Sequence, residues 1–339
     1  MEMMFSLISR SGIDSNFMIE ALRDKVIAGG TITPSEALWI SGLQDAAIIG
    51  LFAAASSIRQ RFRGDIIDLC AIVNAKSGAC SEDCSYCAQS SKVRTGVAVY
   101  PLLEESKIIE KAMEARNAGV KRFCIVTSGR KVSNNELTKM GSMVREVRRT
   151  GLLPCATLGL LDKEELSYLR ACGLVRYHHN LETSENFFPE ICSTHTYHEK
   201  LKTVEAALSA GLSVCSGGIF GIGETWQDRV DMAFALRALD VDSVPINFLI
   251  PVQGTPLGEQ AVLRPLEALK IISLYRFILP DKQIRVCGGR VQALNEFHCL
   301  VFMAGADAVL TGNYLTTTGR TFGDDLELIR QSGLKIACP

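Results

Sequence analysis

Eight times between Ile66 and Ser332, a short β-branched or apolar run gives way to a longer segment with helical period. The runs are Ile66–Val73, Arg122–Val126, Leu153–Leu158, Leu174–Asn180, Leu212–Gly218, Ser243–Leu249, Gln283–Gly288 and Ala306–Leu310. The segments that follow them are Glu104–Ala118, Asn135–Arg149, Lys163–Cys172, His198–Ala210, Trp226–Leu239, Pro265–Phe277, Val291–Ala304 and Asp324–Ser332. Apolar residues at i, i+3 and i+4, such as Ile108, Ala112 and Ala115, carry the helical reading. Glycines just past the helical runs (Gly119, Gly151, Gly173, Gly211, Gly305) mark their ends. Strand-then-helix repetition with short connections predicts an α/β fold whose parallel sheet closes into a (β/α)8 TIM-type barrel. An open doubly wound sheet is the competing arrangement, because one miscounted unit would reopen the barrel.

Residues 1–62 read as a helical lead-in and 63–335 as the barrel. Ile19–Ala28 is amphipathic. Thr33 is placed to cap a helix, with Pro34 at its first position and Glu36 at its third, and helical pattern continues toward Arg61. The longest uncharged apolar stretch, Ala46–Ile58, is too short for a membrane span of about 20 residues and reads as a buried helix. The N-terminus shows no basic segment followed by a long apolar core, so no secretory signal is expected. The net charge of -1 argues against a broad nucleic-acid or anionic-membrane surface. Twelve cysteines are many for such a chain. Without an export signal they fit thiolate metal ligands in a reducing cytoplasm better than disulfides. Cys70, Cys172, Cys192, Cys299 and Cys338 are assigned by default to plain packing.

In a barrel of this kind the loops at the C-terminal strand ends carry the chemistry. The loop after the first strand holds Cys80, Cys84 and Cys87 in a C-x3-C-x2-C spacing within a polar stretch. Three thiolates can hold three irons of a 4Fe-4S cubane and leave the fourth open to a small molecule. Ferredoxins, by contrast, supply four cysteines. The open iron suits S-adenosylmethionine (SAM), whose amino and carboxylate groups can chelate it. Reductive cleavage then releases a 5′-deoxyadenosyl radical able to abstract an unactivated hydrogen, which no side-chain acid or base can do. A zinc site is the alternative, but it would call for paired C-x2-C ligands and a fourth protein ligand.

The loop GACSEDCSYCAQSS, with Tyr86 before its last cysteine, resembles the cluster loop of the biotin synthase family. RFCIVTSG, LPCATLGLL, YHHNLETS, STHTYHEKL, VCSGGIFGIGET, SVPINFLIPVQGTPL, IRVCGGR and GNYLTTTG extend the resemblance in order across the barrel. The resemblance implies conversion of dethiobiotin to biotin with two SAM consumed, a second, auxiliary iron–sulfur cluster as sulfur donor, a flavodoxin or ferredoxin as electron source, and a homodimer. It implies SAM-cluster ligation by Cys80, Cys84 and Cys87, and auxiliary ligation by Cys124, Cys155 and Cys215 with Arg285. It implies SAM contacts at Tyr86, Asn180, Glu182 and Lys200, and substrate contacts at Asn247, Thr317 and Thr318. Read from the residues alone, Cys124, Cys155 and Cys215 fall on three strands and Arg285 on a fourth, and such side chains converge only inside a barrel. As isolated cysteines they would equally pass for small core fillers.

The sequence departs from the family at four places, one of them Glu182, where aspartate is usual. Cys287 stands where a small non-cysteine residue is usual. Residues i and i+2 share a strand face, so Arg285 and Cys287 are expected to point inward together. We read Cys287 as a fourth thiolate of an all-cysteine, four-iron auxiliary cluster, with Arg285 left as a charge behind the ligands or a substrate contact, because thiolate is a better iron ligand than a protonated guanidinium. The alternative is a 2Fe-2S cluster with Arg285 as ligand and Cys287 as packing. His178 replaces an asparagine near substrate and SAM, and is carried as a substrate contact or a structural partner; His179 is expected to turn away. Lys200 replaces an arginine and is either a SAM contact or a solvated helix charge. Gly217 and Gly218 begin a glycine-rich run suited to close approach by SAM, or to a tight turn; it lacks the dinucleotide spacing. A related radical SAM maturase or mutase, and a non-catalytic iron–sulfur carrier, are the competing functions.

Overall fold

A computed structural model describes residues 12–337. The expectation of no secretory signal and the packing role of Cys338 lie outside them. Three helices lead in, Gly12–Ile27, Pro34–Ser41 and Ile48–Arg63. Thr33 caps the second as anticipated: its side chain accepts from the Glu36 amide while the Glu36 carboxylate accepts from the Thr33 amide. The lead-in pattern is not continuous toward Arg61, because Gly42 closes the second helix and a single 3-10 turn precedes the third. Ile48, Leu51, Phe52, Ala55 and Ile58 bury the third helix, which takes up most of the Ala46–Ile58 stretch. Among the described residues no helix is long and apolar enough to cross a membrane.

The barrel strands are β1 (Ile66–Lys76), β2 (Arg122–Thr127), β3 (Leu153–Thr157), β4 (Arg176–His178), β5 (Ser213–Cys215), β6 (Gly218–Phe220), β7 (Ser243–Phe248), β8 (Gln283–Val286) and β9 (Ala308–Leu310). All pair in parallel, and β9 returns to β1 through Asp68↔Ala308 and Cys70↔Leu310, so the sheet is closed. The open-sheet alternative falls there. A short β10 (Lys335–Ile336) extends β1 at its start. The helices Glu105–Asn117, Asn134–Arg149, Lys163–Ala171, Tyr197–Ser209, Trp226–Ala238, Pro265–Ile278 and Phe322–Gln331 surround the barrel. Capping boxes at Ser133/Glu136, Asp162/Glu165, Thr196/Glu199, Thr225/Asp228 and Thr321/Asp324 start five of them.

Two expected elements are broken. The strand read over 212–218 is two pieces, β5 and β6, that share one barrel position against β7. Pro245 of β7, which has no amide hydrogen, lies opposite the gap, and its carbonyl is so near Gly217 that a Cβ there would stand 2.1 Å away. The helix read over 291–304 stops after Arg290–Leu294, where Asn295 takes φ 44, and a 3-10 turn over Asn295–Leu300 replaces the rest.

Candidate active site

Period-two alternation sends Asp68, Cys70 and Ile72 of β1 inward together with Arg122 and Cys124 of β2. Cys155, Arg176, His178, Cys215, Arg285 and Cys287 join them from the other strands, and all of these but Asp68 line one cavity of ≈ 360 Å³. Cys124 and Cys155 are direct neighbours in the β2–β3 ladder. Cys70, Cys124, Cys155 and Cys287 pack as one buried group apart from the main core. The barrel therefore brings five thiols to the cavity, not four. Burial pushes the Cys70 thiol up to about 12 and those of Cys124, Cys155 and Cys287 upward as well. Deprotonating them at neutral pH requires a bound metal. Cys70 packs as assigned, and it packs among these thiols because its position on β1 is in phase with the inward face, a signal the alternation already carried.

The floor beneath the thiols is a polar network. Arg285 donates to Asp68 Oδ1 at 2.6 Å, to Gln283 Oε1 at 2.7 Å and to the Val309 carbonyl at 3.2 Å. Arg122 reaches Asp68 at 3.4 Å, and Arg176 donates to Gln283 Oε1 and Ser213 Oγ, each at 2.9 Å. Burial works against the charge on Arg285, but Asp68 and the neighbouring thiols outweigh it and keep the guanidinium protonated. Burial likewise opposes the Asp68 carboxylate, and Arg285 and Arg122 hold its pKa low. Three guanidiniums thus face one carboxylate under the thiols.

The 80–87 loop roofs the cavity from one side. Gly78 (φ 71) and Ala79 (φ 50) turn the chain out of β1, and Cys80 exchanges backbone hydrogen bonds with Gln89 and Ser91. Tyr86 and Cys87 face the cavity, while Cys80 and Cys84 face an adjoining hollow of ≈ 160 Å³. Asn180, Glu182 and His178 line both. His178 is hydrogen-bonded through Nδ1 to Thr157 Oγ1 at 2.8 Å and through Nε2 to Asn180 Oδ1 at 2.9 Å. Asn180 Oδ1 only accepts, and it also takes the Gly217 amide at 3.2 Å, so the His178 proton sits on Nε2. Burial lowers the His178 pKa to about 4, leaving a neutral ring. Glu182 holds φ 75, and burial raises its carboxyl. Lys200 is 6% exposed and donates to the Asn180 carbonyl at 3.1 Å, so it is not a solvated helix charge. His179 does not turn away; it lines the hollow with Nε2 unpartnered.

Asn247 is fixed at the mouth, donating to the Gly218 carbonyl and accepting from the Gly288 amide, both at 3.1 Å. Thr317 lines the rim together with Thr316, whereas Thr318 is exposed. Gly217 and Gly218 answer to the protein's own backbone, since added Cβ atoms would stand 2.1 Å from the Pro245 carbonyl and 2.3 Å from that of Glu182. Cys192 is buried in the core, yet its sulfur lies 3.8 Å from Cys84 Sγ. Cys172 packs as assigned, and Cys299 is exposed, against its core assignment.

The chain matches the radical SAM superfamily model over residues 75–236 and the Biotin and Thiamin Synthesis associated domain over 245–335. Closed barrel, three-cysteine loop and thiol-lined interior define a radical SAM enzyme. It is 55% identical to the biotin synthase of Thermodesulfovibrio yellowstonii over 297 residues, 88% of this chain and 94% of that one. With the biotin synthase of Trichlorobacter lovleyi the identity is 49%, over 94% of this chain and 96% of the relative. The chain belongs to the biotin synthase family. Among solved structures, methylornithine synthase superposes with TM-score 0.82 at 22% identity, covering 93% of this chain and 97% of that one. The FeFe-hydrogenase maturase of Carboxydothermus hydrogenoformans superposes with TM-score 0.79 at 16% identity, covering 99% and 83%. Those two likenesses concern the fold alone.

Proposed function

We propose that this chain inserts sulfur into dethiobiotin to form biotin, with SAM as radical source and an all-cysteine auxiliary cluster as sulfur donor. The observation that carries the auxiliary reading is the engagement of Arg285. Its guanidinium is already committed to Asp68, Gln283 and Val309, while Cys287 lies among the thiols. The donor set fits an iron–sulfur group. Cys124, Cys155, Cys215 and Cys287 come from four strands, and three arginines against one aspartate offset the negative charge of a cluster held by four thiolates. We read it as a four-iron cluster, with a two-iron cluster as the alternative that iron and sulfide counting separates.

Cys80, Cys84 and Cys87 would hold the 4Fe-4S cluster whose open iron binds SAM. The cluster's chemistry, when present, is one-electron reduction of the SAM sulfonium to give the 5′-deoxyadenosyl radical. Tyr86, Asn180, Glu182 and Lys200 surround the SAM position, with Gly217 and Gly218 shaping the adjoining backbone. Lys200 and Glu182 supply opposite charges there, 3.8 Å apart. Asn247, Thr317 and Thr318 at the mouth suit the ureido and carboxylate ends of the substrate. Neutral His178 orients Asn180 and bounds the space between the two ligands. Arg285 keeps the floor closed and positive. A cytoplasmic location, a flavodoxin or ferredoxin donor and a homodimer accompany this reading.

The test is iron and sulfide counting on the anaerobic protein with a Cys287→Ala variant. The variant is expected to keep dithionite-driven 5′-deoxyadenosine formation, to change its auxiliary-cluster spectrum, and to lose biotin formation. An unchanged auxiliary spectrum would return the fourth ligand to Arg285. Adding dethiobiotin to the parent protein separates sulfur insertion from a maturase or mutase activity, and a carrier would give no 5′-deoxyadenosine at all.

A further inference from the structure

Cys84, Cys192 and His195 are the one group of three such side chains, among the described residues, whose ligand atoms all lie within 4.8 Å of one another. The thiols of Cys80, Cys84 and Cys87, and those of the barrel, are spread wider, as a multi-iron cluster requires. The compact trio has the dimensions of a single-ion site. Two thiolates about 2.3 Å from a tetrahedral zinc stand roughly 3.8 Å apart, and a thiolate and an imidazole nitrogen roughly 3.6 Å. Cys84 Sγ and Cys192 Sγ are 3.8 Å apart, and Cys192 Sγ lies 3.8 Å from His195 Nε2 and 3.3 Å from its Nδ1, so a small turn of the imidazole brings Nε2 to the ion.

The surroundings are those of a built site. His195 Nδ1 is 2.6 Å from Glu82 Oε2, and both side chains are buried. An Nδ1–H donated to that carboxylate leaves the Nε2 lone pair free, the carboxylate–histidine arrangement that orients metal-bound imidazoles. Asp83 fixes the segment carrying Cys192, accepting from the Ser193 and Thr194 amides at 3.0 and 3.2 Å. Cys84 and His195 open on the hollow of ≈ 160 Å³, which gives a water access to an ion held by them as its fourth ligand.

We propose that Cys84, Cys192 and His195 bind one divalent ion of the zinc or ferrous type in chain lacking the loop cluster. Each coordinating thiol gives up its proton to solvent as its metal–sulfur bond forms, and no electron is transferred. Because Cys84 is shared, the ion and the loop cluster compete. Zinc bound there delays cluster assembly, and a ferrous ion bound there is held beside the loop that receives it. The ion-binding arm stands by itself; the competition rests on Cys84 being a loop-cluster ligand.

Cobalt(II) titration of the full-length, cluster-free protein tests it, because tetrahedral cobalt with two sulfurs and a nitrogen has intense visible bands. The double variant Cys192→Ser/His195→Gln supplies the background from the barrel thiols. We expect each of Cys192→Ser and His195→Gln to weaken cobalt binding at least tenfold, zinc to displace the cobalt, and Cys80→Ala and Cys87→Ala to leave the bands in place. Unaltered far-ultraviolet dichroism shows that each variant is folded. Loss of the bands in Cys80→Ala or Cys87→Ala, or their survival in Cys192→Ser, overturns the site, since the loop cysteines would then hold the ion. In the second arm, pre-bound zinc slows loop-cluster formation from ferrous iron and sulfide in the parent and not in Cys192→Ser. Equal rates with and without zinc in the parent overturn the competition alone.

Discussion

The loop thiols and the barrel thiols line neighbouring spaces but are built on opposite principles. Cys80, Cys84 and Cys87 stand half-buried on a turn held by backbone hydrogen bonds, with Arg130 and Lys200 lining the hollow that Cys80 and Cys84 face. Cys124, Cys155 and Cys287 are buried on rigid strands, above a layer of arginines. A half-exposed set can leave one coordination position free for an incoming molecule. An enclosed, charge-compensated set can retain a group and give up part of it without exposing the remainder to water. On the proposed assignment, that difference in setting suits the loop set to radical generation and the barrel set to sulfur donation.

Cys84→Ala strikes the comparison hardest. 5′-Deoxyadenosine formation under dithionite should fall to background while auxiliary iron remains, read by iron content and electron paramagnetic resonance. Loss of both clusters would mean that the two sets are not independent. Asp68→Asn attacks the floor. It leaves Arg285 buried without its carboxylate, at a cost on the order of 3–5 kcal/mol in denaturant unfolding, and should release auxiliary iron before loop iron. Cys70→Ser asks whether the fifth thiol belongs to the auxiliary set. The auxiliary absorption spectrum should change with SAM cleavage retained, and an identical spectrum would leave Cys70 as lining only.

His178→Asn gives the smallest effect. The folded pKa of about 4 lies below the ordinary 6.5, so the unfolded chain binds the extra proton first on acidification. His178 therefore costs no stability near pH 7, and stability falls as pH drops from about 6.5 toward 4, by up to about 3 kcal/mol. Urea midpoints at pH 7 and 5.5 should fall less in the variant than in the parent. Parallel declines would mean that the ring is charged in the folded protein.

The barrel was legible because its alternation is periodic: β2 and the helix Lys163–Ala171 match the reading to within a residue. The loop site was legible from spacing alone. What escaped depended on partners distant in sequence. The interruption between β5 and β6 is set by Pro245 across the ladder, and the burial of Lys200 by Asn180 beneath it. Cys70 was in phase with the inner face, yet one cysteine in an apolar run looks like any other until five of them meet. Cys192 is invisible in the same way, since its neighbour Cys84 is 108 positions earlier.

The arginine floor also decides the traffic through the barrel. Asp68, Gln283 and the guanidiniums fill the strand starts, and the Tyr86–Gln89 turn and the Leu315–Thr317 segment line the chamber beyond them. On the proposed function, whatever enters or leaves the chamber does so away from the strand starts.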